Sequence, residues 1–466
     1  MKLERRTTCR VCGSHALTTA IDLGPQHLQG SFVKDGCEPP RDQFPTELVV
    51  CDRRLDPNGC GLLQMAYSVP TDILYANYWY RSGTNRTMRG HLRRIVEDCV
   101  DLLDRADITA LDIGCNDGTL LSYYPKTATR FGVDPSDVAE TIGSWATVAR
   151  GVFPSPEATQ TLGDTRFDVV TSIAMFYDLE DPVAFAKAIA ERLKDDGVWI
   201  LEMSYLPLML EQNSFDTICH EHLEYYSLEV LERILDAAEL KAVRAQTNDI
   251  NGGSIRLTVT HKAQDGFNRN DWLTELHELR CSETEMRLGT VETYRQFQDR
   301  IEALRSDLSG LLHDIKERGQ TVHIYGASTK GNVLLQWYGI DNTLIPYAAE
   351  RNPSKVGART LGSDIEIISE AASREMQPDY YLVLPWHFRA EFLEREKETI
   401  FAGTKMIFPL PRISVVSLEN YSVELALALN ATTGEGTTDT LWTLLEAARG
   451  KLPKSERGES NAKLRA

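Results

Sequence analysis

The stretch "LDIGCNDGTLL", residues 111–121, decides the fold of this chain. An apolar run carries Asp112 and then turns through small and polar residues: Gly114, Cys115, Asn116, Asp117 and Gly118. Small residues let a backbone turn tightly against a ligand, and the pattern places the N-terminus of a following helix at that turn. Working outward, "ITALDIG" reads as the strand that feeds the turn. Some twenty residues later "RFGVDPS" reads as a second strand ending in Asp134, followed by Pro135 and Ser136. A carboxylate at that point can accept both ribose hydroxyls of an adenosine-containing ligand. "FDVVTSI" and "GVWILEMS" are two more strand candidates, with helical patterns between them. Strand and helix alternating from about 108 to 262 predict a doubly wound parallel sheet, an α/β fold.

The bulk numbers narrow the setting. A chain of 466 residues is too long for one hydrophobic core. Its 42% hydrophobic and 25% charged residues are ordinary for a globular protein. A formal net charge of -18 speaks against a nucleic-acid partner, which needs a basic surface. "MKLERRTTCRVCGS" has no apolar core of a secretory signal, and no run reaches the ~18 apolar residues of a membrane helix. Nine cysteines, mostly single, suit free thiols and metal ligands in a reducing cytoplasm. A cytoplasmic protein off the membrane is expected. With no strong association signal, it is expected to be a monomer or weak homo-oligomer.

Residues 1–70 read as a small loop-rich lobe. Cys9 and Cys12 form a CxxC knuckle, and Cys51 and Cys60 bracket a polar Asp-Pro-Asn-Gly turn. Four thiolates from two turns suit a closed tetrahedral Zn²⁺ site that lets such a lobe fold. Cys37 is a possible substitute ligand, because the spacing of the second pair is wide. Residues 71–265 form the main α/β domain, entered through "YANYWYRSGTNRTMRGHLRR". Residues 266–319 form a helical connector. There Tyr294, Phe297, Ile301, Leu304, Leu308, Leu311 and Ile315 recur every three or four positions, as one face of a long helix does. Strand–helix alternation restarts over 320–416, predicting a second Rossmann-like α/β domain. Residues 417–466 hold an apolar helix candidate and a polar, disorder-prone end.

Two resemblances follow from these motifs. The D-x-G-x-x-x-G turn, Asp134 and "FDVVTSIAMFYDLEDP", in that order, resemble class I S-adenosylmethionine (SAM)-dependent methyltransferases. A dinucleotide site would read G-x-G-x-x-G. The likeness implies that Ala174, Met175 and Phe176 lie near the sulfonium or the adenine, unless they are core. With the zinc knuckle, "YWYRSG", "CHEHLEYYS", "NGGSIR", "YGASTKGN" and "LPWHFR" added, the chain resembles sugar-nucleotide C-methyltransferases over nearly all of residues 1–415. That family implies a zinc lobe, a central SAM domain and a C-terminal Rossmann-like domain around a nucleotide-linked 4-keto-6-deoxyhexose.

Carbon methylation would explain why "FDTICHEHLEYYS", residues 215–227, is so rich in ionisable groups. A carbon beside a ketone must lose a proton before it can attack a methyl group, which calls for a base near neutral pKa and a donor for the enolate oxygen. The resemblance assigns His222 as base, with Glu221 and His220 orienting it or binding the sugar, and Tyr80 near the reaction. Cys219 stands where the family often has a tyrosine, so Tyr78, Tyr80 or Tyr225 would have to supply that phenol. Tyr78, Arg81, Asn85, Tyr225 and Asn251 are expected on the sugar side. Lys330, Asn332, Glu350, Arg351, Asn352, Lys355 and His387, with Trp386 and Arg389, are expected at the nucleotide diphosphate. Other readings stay open. His220 and His222, two apart on a strand, could share a metal; the segment could be a polar corner with Ser227 capping the next helix. The function could be O- or N-methylation, or ligand holding by a methyltransferase-like subunit without turnover.

Overall fold

A computed structural model describes residues 3–34, 36–38, 42–74, 81–84, 86–105, 107–267 and 269–433. Tyr78, Tyr80 and Asn85 lie outside the described residues. The chain divides into two compact units, residues 1–31 with 41–300, and residues 32–40 with 301–466.

The first unit is built on a seven-stranded sheet. Five strands, Thr109–Ile113, Thr129–Asp134, Thr147–Arg150, Phe167–Ile173 and Leu193–Ser204, pair in parallel. Their apolar runs are buried on both faces: Val169 and Val170 are adjacent in sequence, point to opposite faces, and are equally inaccessible. The sheet is mixed, not wholly parallel as expected. Leu240–Asn248 and Ser254–His261 form an antiparallel hairpin added beside Leu193–Ser204. The cause is the turn between them, where Asn251 takes φ 57° and Gly252 and Gly253 take φ 83° and 111°. Asn-Gly-Gly supplies positive φ at little cost, and such a turn folds the chain straight back.

The helix expected behind Gly118 is also missing. Only a short 3-10 turn, Leu121–Tyr123, follows. Tyr124 is extended, at φ -62° and ψ 148°, because Pro125 follows it and disfavours the helical conformation.

The lobe is more regular than its loop-rich sequence suggests. Leu17–Gln26, Phe44–Cys51 and Leu63–Met65 form an antiparallel sheet, and Glu224–Tyr225 joins as its fourth strand. The histidine-rich segment is therefore stitched into the lobe.

The second unit carries an eight-stranded sheet around the parallel strands Val322–Tyr325, Tyr347–Glu350, Glu366–Ser369, Tyr380–Val383 and Lys405–Phe408. Phe32–Val33 pairs with Arg359–Thr360 at its edge. The connector resolves into two helices, Asn270–Met286 and Val291–Glu317. In the longer one Tyr294, Phe297, Ile301, Leu308, Leu312 and Ile315 are buried. Leu312 takes the place expected of Leu311, which is half-buried: a 3.6-residue period drifts from strict three–four alternation. Among the described residues no helix is long and apolar enough to cross a membrane.

Candidate active site

The parallel strands of the first unit end together, and the expected cofactor residues gather at those carboxyl ends. Gly114 and Gly118 take φ 77° and 73° and Asn116 φ 50°, so the turn needs the left-handed conformations that glycine and asparagine tolerate. A side chain at Gly114 would press on Met175, its Cβ 3.1 Å from Cγ. Asp134 fixes the turn, accepting from the Asn116 N–H (2.8 Å) and, through its other oxygen, from the Ser136 N–H (2.8 Å) and hydroxyl (2.5 Å). The loop at 81–84 closes over the turn: the Ser82 N–H donates to Asn116 Oδ1 (3.0 Å) and the Gly83 N–H to Asp117 Oδ2 (2.9 Å). Arg81 sits exposed at the start of that loop. Asp112 is buried below and accepts from Thr171 Oγ1 at 2.6 Å. Burial, aided by the charge of Asp134 and opposed by the Thr171 bond, pushes its carboxyl up to about 7. Phe176, by contrast, belongs to the core, with Phe185, Trp199 and Tyr226 ring centroids within 5.6 Å.

From the turn, Ala174–Tyr177 leads directly to the histidine-rich segment. Ala174 takes φ 54°. The Tyr177 ring lies against His222, centroids 4.1 Å apart, and the Tyr177 carbonyl accepts from the Leu223 N–H at 2.7 Å. Residues 219–222 form a turn, closed by the His222 N–H on the Cys219 carbonyl (3.1 Å), and not a strand. Its two histidines have opposite surroundings. His220 is buried in the lobe, Nδ1 2.7 Å from Gln29 Oε1 and Nε2 3.2 Å from the Phe44 carbonyl. Burial lowers its pKa to about 4, so it stays neutral. His222 lines a small pocket with Tyr177, Ser204, Thr217, Glu224 and Tyr225. Its Nδ1 lies 2.8 Å from the Thr217 carbonyl, a contact in which the ring nitrogen donates.

Glu221 is half-buried, and burial raises its carboxyl above the usual range against the Cys219 thiol and the Gly30 N–H that bond to it. Thus Cys219, in place of a phenol, serves Glu221. Tyr225 donates to the Thr217 carbonyl at a long 3.4 Å. The Asn251 turn abuts the same region, since the Tyr205 N–H donates to the Gly253 carbonyl (3.1 Å). Ser227 caps the helix Leu228–Ala237, accepting from the Val230 N–H at 3.3 Å. Tyr177, Thr217 and Glu224 escaped the sequence reading, although all three lay within the stretches it quoted.

Cys9, Cys12, Cys51 and Cys60 converge with every sulfur within 4.8 Å of the others. Cys9–Cys60 and Cys12–Cys51 are 3.4 and 3.5 Å apart, and none is in a disulfide. Tetrahedral Zn–S bonds of ~2.3 Å set sulfurs about 3.8 Å apart, so the four cysteines fit one zinc ion.

In the second unit the loops after Tyr325, Glu350 and Val383 converge. Glu350 accepts from the Ala327 N–H (2.8 Å) through one oxygen and from the Arg351 (2.9 Å) and Asn352 (2.7 Å) N–H groups through the other. Lys355 Nζ donates to the Ala327 carbonyl (2.7 Å) and lies 4.3 Å over the Phe32 ring. Ser328 caps the helix Thr329–Tyr338, accepting from the Gly331 N–H (3.0 Å). Lys330 stands in its first turn, and Asn332 is buried one position past Gly331. The His387 ring is held well below its ordinary pKa by burial and by the charge of Lys330. Trp386 is buried. Arg389, expected beside the diphosphate, is instead held by Ser414 (2.8 Å), Glu424 (2.7 Å) and the Phe408 ring.

Comparison with known proteins gives this geometry its context. Residues 84–245 match the family model of a methyltransferase domain, residues 9–75 that of a zinc binding domain, and residues 249–411 that of the C-methyltransferase C-terminal domain. The chain is 30% identical over 422 residues to the C-methyltransferase NovU of Streptomyces niveus, covering 88% of this chain and 97% of NovU. The chain belongs to the C-methyltransferases. It is a SAM-dependent enzyme with a structural zinc lobe. Among solved structures, a SAM-dependent methyltransferase of Clostridium acetobutylicum is 15% identical, with a TM-score of 0.30 over 41% of this chain and 95% of that one. The magnesium protoporphyrin IX methyltransferase of Synechocystis with bound SAH is 16% identical, with a TM-score of 0.31 over 38% and 88%. In this C-methyltransferase the residues present fit the cofactor. The positive-φ turn clears room for it, and Asp134 is already oriented by backbone donors.

Proposed function

We propose that this C-methyltransferase acts on a nucleotide-linked 4-keto-deoxyhexose, with His222 removing the proton from C-3. The observation that carries this reading is the position of His222. Its Nδ1 is held by the Thr217 carbonyl, and its ring lies tilted against Tyr177, three residues beyond Ala174 at the cofactor strand ends. A ring so held has a fixed orientation, which is what proton transfer from carbon needs. His220 braces the turn from the lobe side, and Glu221, its carboxyl pKa raised by burial, lies between them in sequence. Asp134 would hold the ribose hydroxyls of the cofactor at the Gly114–Gly118 turn. Bound SAM supplies an electrophilic methyl group. The acceptor C–H bond breaks with its proton passing to His222 and its electron pair moving into the enolate, whose carbon would accept the methyl that bound SAM supplies, the pair of the broken S–CH3 bond staying on sulfur as SAH. The sugar-nucleotide half of the reading rests on the second unit, where a capped helix N-terminus, Lys330 and Lys355 favour a diphosphate.

The decisive experiment is deuterium exchange at C-3 of a nucleotide-linked 4-keto sugar in D₂O without SAM. Exchange by the wild type and its loss in His222→Ala are expected. Full turnover by that variant removes His222 as the base, and no exchange by the wild type favours transfer to oxygen or nitrogen. A thermal-shift screen of sugar nucleotides with SAM present identifies the acceptor, since a bound ligand stabilises by RT ln(1 + [L]/Kd).

A further inference from the structure

One buried carboxylate in the first unit is bonded toward both the cofactor turn and the Asn251 turn, and the reaction described above does not use it. Glu202 stands two residues from the end of the strand Leu193–Ser204, and its carbonyl accepts from the Ala174 N–H at 2.8 Å. Its side chain is buried and takes donors from three other elements. His91 Nε2, on the helix Arg86–Leu103, lies 2.5 Å from Oε1. Asn248 Nδ2 (3.1 Å) and Arg256 Nε (2.8 Å) both donate to Oε2. Arg256 Nη1 returns to the helix, donating to Asp98 Oδ2 at 3.0 Å, so His91, Glu202, Arg256 and Asp98 close a ring. Burial opposes the charge on Glu202, but the bonds from His91 and Arg256 outweigh it and hold the carboxyl below its ordinary range. The two ends of this network reach different turns. On one side the helix is fed by the 81–84 loop, whose Gly83 carbonyl accepts from Arg89 Nη1 (2.7 Å). The Ser82 and Gly83 N–H groups of that loop hold Asn116 and Asp117 of the cofactor turn. On the other side Asn248 Oδ1 accepts from the Ile250 N–H (3.0 Å), and Ser254 Oγ donates to the Ile250 carbonyl (2.8 Å). Those two bonds brace the turn in which Asn251 takes φ 57°.

We propose that Glu202 is a positioning residue that couples the two turns: cofactor binding, by fixing the 81–84 loop and the helix behind it, tightens the Asn251 turn through Glu202. A ligand that restrains the Gly114–Gly118 turn restrains Asn116 and Asp117, and with them Ser82, Gly83 and the helix that carries His91. His91 keeps its bond to Oε1 only while Glu202 stays in place, and Glu202 in turn holds Asn248. Removing one partner of a buried ion pair leaves an uncompensated charge, so the arms do not loosen independently. Linkage makes the effect reciprocal: whatever orders the Asn251 turn raises cofactor affinity by the same factor. The turn is thereby prepared before the acceptor arrives, which favours binding of the cofactor first. Only that last step rests on the acceptor reading above, in which Asn251 lies on the sugar side.

The test follows backbone amide hydrogen–deuterium exchange by mass spectrometry in the full-length, zinc-loaded enzyme, with and without saturating SAH. Exchange reads local opening, and no acceptor is needed, so a failure here leaves the acceptor reading standing. In the wild type SAH is expected to protect residues 114–118 and also to slow exchange in 248–254 about fivefold. His91→Gln, a change in neither turn, is expected to keep the protection of 114–118 and lose that of 248–254, and Glu202→Gln to do the same. A merely structural Glu202 would raise exchange in 248–254 alike in both states and leave the SAH-dependent slowing intact, a result that overturns the proposal. Equal exchange of 248–254 with and without SAH in the wild type overturns it as well, before any variant is made. Asn248→Ala cuts only the last link, at a half-buried position, and keeps the ion pair of His91 and Glu202. It is expected to lose the SAH-dependent slowing of 251–254. Slowing that persists there overturns the route through Glu202, and this variant is readable even if the two core variants do not fold.

Discussion

The two glycine turns of this chain, Gly114–Gly118 and Gly326–Gly331, are built on one plan and charged in opposite senses. In each, a strand delivers the turn, and an acid at the end of the next strand holds it by backbone N–H bonds. Asp134 binds the N–H of Asn116, and Glu350 that of Ala327, both at 2.8 Å. Beyond that the turns part. Behind the first there is no full helix, only Leu121–Tyr123, and its environment holds Asp112, Asp117 and Asp134. Behind the second stands the ten-residue helix Thr329–Tyr338, capped by Ser328, with Lys330 in its first turn and Lys355 against Ala327. An anionic turn without a helix dipole suits a cofactor carrying a sulfonium and an ammonium, and a cationic turn at a helix N-terminus suits a diphosphate. A shared backbone device carries opposite charge in the two units.

The largest expected effect breaks the first turn. Asp134→Asn keeps the shape but loses charge-assisted acceptance from Asn116 and Ser136 and from the ribose. Two such bonds at ~1.5–3 kcal/mol each predict SAH affinity lower by about 100-fold or more in calorimetry. Affinity within threefold of wild type removes Asp134 from the cofactor site. Nucleotide diphosphate affinity should not change, since the second turn has its own acid.

A smaller effect is a pH dependence confined to the first turn. Asp112 is raised to about 7 by burial, so at pH 6 it is mostly protonated. A cationic ligand favours its ionised form, and binding below that pKa must expel a proton. SAM affinity is therefore expected to rise with pH by up to about tenfold per unit from pH 5.5 to 7 and to level off above. Stability runs the other way. A carboxyl raised above its unfolded value favours the folded state below its unfolded pKa near 4, and that contribution is lost as pH rises to 7. Asp112→Asn should flatten both curves, and a parallel slope in the variant assigns the titration elsewhere.

How far the sequence foretold this contrast depends on which forces act locally. The parallel strands were legible because burial on both faces writes continuous apolar runs; "FDVVTSI" is the strand Phe167–Ile173 without a residue's error. The four cysteines were legible because metal ligation demands a residue type, whatever their separation in sequence. The helix behind Gly118 was misjudged because Pro125, seven residues on, outweighs the turn motif. The hairpin at Asn251 was hidden because its Asn-Gly-Gly was read for a ligand and not for its backbone. His220 and His222 looked equivalent because sequence does not say which side of a turn meets the lobe. That answer comes from Gln29 and Phe44, more than 170 positions away.

The smallest effect tests the second turn, and salt is the tool for reading it. Lys330→Met removes one charge from a half-buried position while Ser328 still caps the helix. An isolated lysine–phosphate attraction at such a site is worth about 1 kcal/mol, so dTDP affinity at 0.15 M salt should fall about fivefold. The helix N-terminus and the turn's own N–H groups remain and should keep measurable binding. Screening shortens from about 8 Å at 0.15 M to about 3 Å at 1 M, so wild type and variant should converge as salt rises. SAH affinity over the same series should be equal in the two proteins, because the anionic turn contains no Lys330. A fivefold loss that persists unchanged at 1 M salt means Lys330 acts by packing or by shaping the turn, and the charge contrast between the two turns then rests on the helix alone. No loss at low salt removes Lys330 from the diphosphate site and leaves Lys355, fixed against Ala327 and Phe32, as the cation to test.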